Sequence, residues 1–511
     1  MNGAIAAGSQ ATARAGAEIL QAGGNAVDAA VGACFGVGAG EPTLTSLAGA
    51  GALLHRSPEG ELSVCDFFAD APGLDDERPE EMDFFGVDLD FGPAVQRFHI
   101  GAAAAAVPGA IPGLCTALER WGSLPLGEVI KPACRMLREG MEMGPFTAGA
   151  MALLGPILVQ SEIGRRIFAP KGRLMRGGET FLHPALADTL ERLADEGWRQ
   201  YYEGAFSEQM LAQFGPASGG LLSRRDLEEY EIIMRRPLEL TYRGHRLVTN
   251  PPPAQGGRMI AAMLGLLETA EVGRLEPGSM DQRHALCRAM KVADEVRLAD
   301  EELSPRWRER YAALAGVPLG HSPPLDGGPG STTHVSVIDA RGCAAAVTFS
   351  YGEGNGAFIG DSGVMMNNLM GEDDLFPDGF HTWAPGTRLS TMVSPSVMVS
   401  PAGDVTVLGS GGANRIRTAM TQVISLLVDH GVSLKRAVSA ARVHYEAGVL
   451  NAETFEMDDG GAALAELGAP ELINFPEPNL FFGGVHAVRL GADGTLEAVG
   501  DPRRGGVGLV V

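Results

Sequence analysis

The sequence is poor in basic residues: 40 lysines and arginines stand against 63 aspartates and glutamates over 511 residues, a net charge of −23. Proteins that bind nucleic acid neutralise phosphates with lysine and arginine, so this balance argues against such a partner. A run of about 20 apolar residues, the length that crosses a bilayer, is also missing. We therefore expect no binding to nucleic acid and no membrane span.

Cysteine is scarce as well, and no two cysteines have the spacing of a metal site or a redox motif. The six are Cys34, Cys65, Cys115, Cys134, Cys287 and Cys343. Isolated cysteines are typical of a reducing compartment, where they are packed as small apolar side chains. We expect all six in the core, no metal site and no cofactor.

The first 20 residues lack the features of an export signal. They have no basic start and no long apolar segment, because Gln10, Arg14 and Glu18 interrupt an alanine-rich stretch. This pattern predicts a helix from Met1 to Leu20 and favours a cytoplasmic location.

The apolar residues change period along the chain. From Pro112 to about Arg236 their spacing is helical, whereas later segments are rich in β-branched residues and bounded by tight turns. Strands are predicted at 245–249, 335–339, 344–350, 393–399 and 405–408, with helices at 258–268, 282–301 and 414–429. Helices flanking two stacked sheets predict a mixed α/β (α+β) fold with four αββα layers and a helical elaboration.

A glycine- and proline-rich segment ends abruptly at Thr332. Residues Gly320 to Ser331 include four glycines and three prolines, which disfavour helix and sheet. Val335, Val337 and Ile338 then indicate a buried strand. A threonine therefore stands where an irregular segment meets a strand.

This position suits an N-terminal-nucleophile (Ntn) hydrolase, which cuts its own chain before a Thr, Ser or Cys. The freed hydroxyl attacks the substrate and the new α-amine, with a pKa of about 7.7–8.0, takes the proton. A threonine at this position is also explained by β-propensity alone. The tripeptide Thr332-Thr333-His334 does not decide between these interpretations.

Several blocks in the right order do decide, because together they resemble the γ-glutamyltranspeptidase family. The blocks are Asn25 to Ala30, Pro251 to Gly257, Thr332 to Asp339, Gly360 to Asn368, Leu389 to Pro395 and Gly409 to Ile416. The resemblance covers nearly the whole chain. It implies an Ntn-hydrolase sandwich and self-cleavage between Ser331 and Thr332.

The resemblance also implies a large subunit, 1–331, and a small subunit, 332–511, that remain together as one structural unit. Such a heterodimer leaves further dimerisation open. The Gly411-Gly412 pair falls where the family binds the oxyanion through backbone N–H groups, a role that suits the start of a helix.

Three residues near the nucleophile receive roles by the same resemblance. Ser350 occupies the position of a hydroxyl that hydrogen-bonds the nucleophile, although a strand-end serine is an equally good interpretation of the residue alone. Thr333 is expected to orient the free amine. Strand alternation turns His334 away from Thr333, and we expect a packed histidine there.

The substrate-binding residues depart from the family pattern. Phe68 replaces the arginine that grips the α-carboxylate of a γ-glutamyl group, Gly352 replaces an asparagine and Leu369 replaces a glutamine. The acid Glu372 and the pair Ser390-Thr391 remain at matching positions. Arg388 or Arg415 is a candidate to supply the missing cation, and the short segment 372–390 predicts a more open site or one closed by a different loop.

Three hypotheses follow. The first is a self-cleaving amidohydrolase or acyltransferase that acts on a small amide other than a standard γ-glutamyl compound. The second is a true glutathione hydrolase with a relocated carboxylate clamp. The third is an uncleaved, inactive relative that serves as a binding protein.

Overall fold

The strand that begins at Thr332 lies in the middle of the larger of two antiparallel sheets. The structure is a computed structural model that describes residues 2–90, 95–320, 331–376 and 379–511. In spatial order the larger sheet contains Val507–Val510, Gly3–Ala7, Thr332–Asp339, Ala344–Ser350, Ala50–Arg56, Leu62–Phe67 and Ile233–Arg235. The smaller contains Leu496–Val499, Gly484–Leu490, Val405–Gly411, Ser396–Val399, His245–Thr249 and Leu238–Tyr242.

The two sheets pack face to face over a layer of small and β-branched side chains. Alternate residues of the larger sheet, including Ala4, Ala6 and Ala346, meet Val407 and Val488 of the smaller one. Because successive side chains of a strand point to opposite faces, the intervening residues of the larger sheet face helices instead. Small alanines allow the sheets to approach closely and bury the layer.

Helices cover both outer faces. Gln10–Gln21 and Ala26–Gly40 pack on the larger sheet, and Gly256–Thr269 and Arg415–Asp429 pack on the smaller. The predicted four-layer αββα architecture is therefore confirmed. Asn25 caps the second helix and forms a reciprocal capping box with Asp28.

The predicted helix from Met1 to Leu20 is wrong in its first part. Gly3–Ala7 is a strand that pairs with the Thr332 strand on one side and with Val507–Val510 on the other. The helix begins only at Gln10, capped by the Ser9 side chain. Alanine and glycine carry no strand signal, and this segment is a strand because its small residues fit between two long-range partners.

The helical elaboration predicted for 112–236 is also present. Its helices are Ala110–Trp121, Leu126–Val129, Lys131–Glu139, Pro145–Leu158, Glu162–Phe168, Pro184–Glu196, Gln200–Glu203, Ala205–Phe214 and Arg224–Glu229. The other helices are Met280–Leu298, Pro305–Ala313 and Leu434–Ser439. Two smaller sheets pair Phe85–Asp90 with Val95–Ile100 and Met141–Glu142 with Thr180–Phe181. In a third, Val449–Glu453 lies between Val443–Glu446 and Glu471–Phe475.

Both large sheets take strands from each side of the Ser331–Thr332 bond. Most of the glycine- and proline-rich segment, 321–330, lies outside the described residues. Among the helices that the structure describes, none combines the length and apolar character needed to cross a bilayer. All six cysteines are buried and unpaired by disulfides, as expected.

Candidate active site

Thr332 and Ser350 lie side by side at the end of the larger sheet. They are paired residues of neighbouring antiparallel strands, and both line one cavity of about 50 Å³. Thr332 is 4% exposed and Ser350 7% exposed, so the cavity reaches two nearly buried hydroxyls. A nucleophile in such a place is shielded from bulk water.

The Ser350 hydroxyl is aimed at the bond before Thr332. Its Oγ donates a hydrogen bond of 2.6 Å to the carbonyl oxygen of Ser331 and accepts one of 3.1 Å from the Gly352 N–H. In the uncleaved chain the Ser350 hydroxyl therefore binds the Ser331 carbonyl oxygen. The family resemblance implied a hydrogen bond to the nucleophile, Thr332, instead. A hydroxyl held there polarises the carbonyl and stabilises negative charge that develops on its oxygen.

Gly411 and Gly412 lie against the backbone of the Thr332 strand. A Cβ at Gly411 would lie 2.0 Å from the carbonyl oxygen of Thr332, and Gly412 has a φ of +120°. The Arg504 guanidinium donates to the same carbonyl at 3.2 Å. Ala413 and Asn414, between the pair and the helix that starts at Arg415, line the cavity. An oxyanion role for the glycine N–H groups stays a prediction.

Thr333 and His334 point to opposite faces of their strand. The Thr333 hydroxyl donates to the buried carboxylate of Glu41, on the helix side, so this side chain is not brought to the cavity. His334 faces the second sheet, where its ring nitrogens contact the hydroxyls of Thr348 at 2.7 Å and Ser336 at 2.8 Å. Burial holds the pKa of His334 well below its usual value. The prediction of a packed histidine is confirmed.

Most of the predicted substrate-binding residues do converge on the cavity. Phe68, Leu369, Glu372, Ser390 and Thr391 line it together with Thr332. Some of their polar atoms are already engaged: the Ser390 hydroxyl donates to the Pro253 carbonyl at 3.1 Å, and the Thr391 hydroxyl accepts from the Val393 N–H at 3.2 Å.

Gly352 lies beside the cavity and leaves no room for a side chain. Its φ is +74°, and a Cβ there would lie 2.1 Å from Oδ1 of Asn368 and 2.7 Å from Oε1 of Glu372. The asparagine expected from the family resemblance would therefore collide first with Asn368 and then with Glu372.

Neither cation suggested by the sequence is among the described residues that line the cavity. Arg388 forms ion pairs with Asp66 at 3.1 Å and Asp70 at 2.5 Å. Arg415 is buried with its guanidinium 4.8 Å from the centre of the Phe481 ring. The guanidinium that does line the cavity is that of Arg297, half-buried in the last turn of the helix Met280–Leu298.

Sequence reasoning missed Arg297 because no motif surrounds it and the tertiary structure alone brings it to the cavity. It also left several other lining residues without a role. These are Gln255, Leu375, Met392, Val393, Ala413, Asn414 and Ile416. Gln255 lies in the Pro251 to Gly257 block, so that block was the available signal for it.

The segment after Glu372 closes one side of the cavity. Leu375 lines it, and the Trp383 indole donates to the Leu375 carbonyl at 3.2 Å. Phe376 packs edge-on against the same indole, with ring centres 6.2 Å apart. Pro377, one of the residues on which the prediction of an open site depended, lies outside the described residues.

The cavity brings a small set of reactive and polar groups together. They include the hydroxyls of Thr332 and Ser350, the Glu372 carboxylate and the Arg297 guanidinium. A hydroxyl nucleophile beside hydrogen-bond donors suits acyl transfer, in which an alkoxide-like oxygen attacks a carbonyl carbon. No cluster of three or more His, Cys, Asp or Glu side chains suited to a metal ion occurs in the part of the chain that the structure describes.

Comparisons with known proteins identify the family of this chain. The sequence profile described as Gamma-glutamyltranspeptidase matches residues 12–511. The acylase ACY 1 proenzyme of Pseudomonas sp. strain SE83 is 33% identical over 504 residues, covering 94% of this chain and 88% of that protein. The glutathione hydrolase proenzyme of Pseudomonas aeruginosa PAO1 is 31% identical over 549 residues, covering 100% and 94%.

The fold matches a solved structure of similar size. The cephalosporin acylase from Bacillus halodurans superimposes with a TM-score of 0.83 at 24% identity, covering 99% of this chain and 95% of that one. This likeness confirms the predicted Ntn-hydrolase sandwich. With the profile matched over nearly its whole length, the chain belongs to the gamma-glutamyltranspeptidase family of Ntn hydrolases and is an enzyme of that family.

Proposed function

We propose that the chain cleaves its own Ser331–Thr332 bond and then acts as an acylase that transfers the acyl group of a small amide to water or to an amine. The observation that carries the proposal is the hydrogen bond of 2.6 Å from Ser350 Oγ to the Ser331 carbonyl, next to the Thr332 hydroxyl. The acylase and glutathione hydrolase relatives are both named proenzymes, which supports a processed heterodimer.

Turnover follows from the groups that cleavage would release. The Thr332 oxygen attacks the amide carbon, and the new α-amine of Thr332 takes the hydroxyl proton and passes it to the leaving amine. An ester on Thr332 remains, and water or a second amine attacks its carbonyl carbon and restores the hydroxyl. The Gly411-Gly412 backbone is proposed to bind the oxyanion in both steps.

A denaturing gel of the purified protein tests the first step. The proposal expects two fragments, 1–331 and 332–511, with the smaller one beginning Thr-Thr-His-Val. One intact band without activity would favour the inactive binding protein, and a different start of the small fragment would contradict Thr332 as the nucleophile.

Selectivity is expected to lie away from γ-glutamyl compounds. Phe68, Gly352 and Leu369 provide none of the charged or amide contacts of the family pattern, and each charged hydrogen bond contributes roughly 1.5–3 kcal/mol. We expect kcat/KM for γ-glutamyl-p-nitroanilide to be at least about 100-fold below that for a p-nitroanilide with an uncharged acyl group of similar size.

The lining of the cavity also supports a second candidate function, a true glutathione hydrolase with a relocated carboxylate clamp. Arg297 and Glu372 carry opposite charges at one cavity, an arrangement that suits the carboxylate and amine of a γ-glutamyl group. If γ-glutamyl-p-nitroanilide is instead turned over efficiently, Arg297→Gln separates the cases. Loss of this activity would establish Arg297 as the relocated clamp, whereas unchanged activity would exclude it.

Glu372 is expected to bind substrate rather than support folding. Glu372→Gln keeps the size of the side chain, so self-cleavage should proceed, while kcat/KM should fall by about 10- to 100-fold for amides with a cation or N–H near the scissile bond. Time courses on gels and steady-state kinetics measure the two effects. A Glu372→Gln chain that fails to cleave or fold would identify a structural acid.

A further inference from the structure

The carboxylate of Glu353 lies directly against Ser331, the residue before the proposed cleavage point. Oε1 accepts a hydrogen bond of 2.8 Å from the Ser331 N–H, and Oε2 accepts one from the Ser331 hydroxyl. Glu353 is 2% exposed and Ser331 5% exposed. Within the part of the chain that the structure describes, Ser331 supplies both hydrogen bonds that this carboxylate accepts.

A rigid turn presents this carboxylate. The N–H groups of Glu353 and Gly354 donate to Oδ1 of Asn368 at 2.8 and 3.1 Å, and the Asn368 amide donates to the His99 carbonyl at 3.1 Å. Gly352 and Gly354 have φ values of +74° and +85°, which favour glycine. The shape of the turn is thus fixed independently of Ser331.

The same turn fixes Ser350, so one short segment contacts three atoms of Ser331. Glu353 binds its nitrogen and its side-chain oxygen, while Ser350 binds its carbonyl oxygen. A residue held at three points cannot rotate its carbonyl away from the Ser350 hydroxyl. Such restraint is the kind of orientation that lowers the barrier of an intramolecular reaction.

Several charged and titratable groups face Glu353. Burial raises its pKa to about 7, while the Ser331 hydrogen bonds and the cations Arg504 and Arg415 oppose that rise. Tyr351 is the neighbouring phenol, and the buried acid Glu41 interacts with Arg504. A carboxylate kept in this interior, with no ion pair at hydrogen-bond distance among the described residues, is costly for the fold, which points to a role at this place.

We infer that Glu353 is a positioning residue for self-cleavage, holding Ser331 so that its carbonyl faces both the Ser350 hydroxyl and Thr332. The inference rests on the proposed function. In cleavage the Thr332 oxygen bonds to the Ser331 carbonyl carbon, the C–N bond breaks, and the hydroxyl proton ends on the Thr332 nitrogen. Water then splits the ester into a Ser331 carboxylate and a free Thr332 hydroxyl, and Glu353 exchanges no atom.

The contact between Glu353 and Ser331 also changes when the chain is cleaved. Cleavage gives Ser331 a carboxylate next to the Glu353 carboxylate, and two like charges at this distance repel strongly in a buried site. The interaction that holds the precursor therefore becomes one that expels the new chain end. Departure of Ser331 would free the Ser350 hydroxyl, which lines the cavity beside Thr332 and is bound to the Ser331 carbonyl in the uncleaved chain.

The experiment follows cleavage of the full-length chain made by pulse-labelled cell-free synthesis, on denaturing gels over time. Ser331→Ala removes one charged hydrogen bond and should slow cleavage about 10-fold or more, and Glu353→Ala removes two and should slow it about 100-fold or more. Because both act through one contact, the double variant should be no slower than Glu353→Ala. Additive effects, or cleavage of Glu353→Ala at the rate of the unaltered chain, would overturn the inference.

A pH profile separates positioning from general support of the fold. The ionised carboxylate accepts both hydrogen bonds, so cleavage of the unaltered chain should slow as the pH falls through about 7, where Glu353 gains a proton. Glu353→Gln keeps the shape without titrating and should cleave slowly with a flat profile from pH 6 to 8. An unchanged pH dependence in Glu353→Gln contradicts the inference. Two fragments from Thr332→Ala would instead contradict the proposed function itself.

Discussion

Replacing Thr332 by alanine is expected to leave the chain uncleaved and to lower kcat by at least about 1,000-fold, since the variant lacks the nucleophile of both steps. Thr332 is buried at the start of its strand, where alanine fits without strain, so the fold should persist. Gel analysis, N-terminal sequencing and turnover of a small amide measure the two losses.

Thr332→Ser is the matched control. Serine keeps the hydroxyl and, after cleavage, the α-amine, so slow cleavage and measurable turnover should return. A Thr332→Ala chain that still gives two fragments, or that turns over substrate at the rate of the unaltered enzyme, would show that another residue is the nucleophile.

The second large effect is expected at Gly411, because its Cα lies against the backbone of the nucleophile. A Cβ there would lie 2.0 Å from the Thr332 carbonyl oxygen, and this oxygen belongs to a strand that cannot turn aside as a side chain can. Gly411→Ala must therefore shift either the Thr332 strand or the strand Val405–Gly411, which ends at the substituted residue. Overpacking of this kind costs about 1–3 kcal/mol of unfolding free energy, and a shift of about 1 Å at a catalytic group lowers the rate about 100-fold.

Gly127→Ala provides the control for adding a methyl group. In the short helix Leu126–Val129 the new Cβ would meet no atom within 4 Å, and alanine favours a helix over glycine by roughly 0.5–1 kcal/mol. This variant should cleave, turn over substrate and melt like the unaltered chain or slightly above it. Equal behaviour of Gly411→Ala and Gly127→Ala would refute the close packing of Gly411 on the nucleophile.

Much of the fold was predictable because its signals are local. The strands around Thr332 alternate or cluster β-branched residues, the strand 344–350 was predicted with the bounds that the structure has, and glycines mark the turns. Asn25 and Asp28 stand three residues apart and form a reciprocal capping box at the start of the second helix. The segment Gly3–Ala7 was mispredicted because small residues carry no such signal, and only pairing with 335–339 and 507–510 makes it a strand.

In the candidate site, too, some features were predictable from the sequence and others depend on the tertiary structure. The sequence by itself determined the family, the position of Thr332 at the start of a strand and the Gly411-Gly412 pair, and it predicted Phe68 in place of the family arginine, because each is a matter of residue type at a motif position. The tertiary structure alone decided that Thr333 binds Glu41, 292 residues away, and that Arg297 is the guanidinium at the cavity. It also decided that Glu353 grips Ser331, since burial and hydrogen bonding between distant segments follow from packing and leave no periodicity in the sequence.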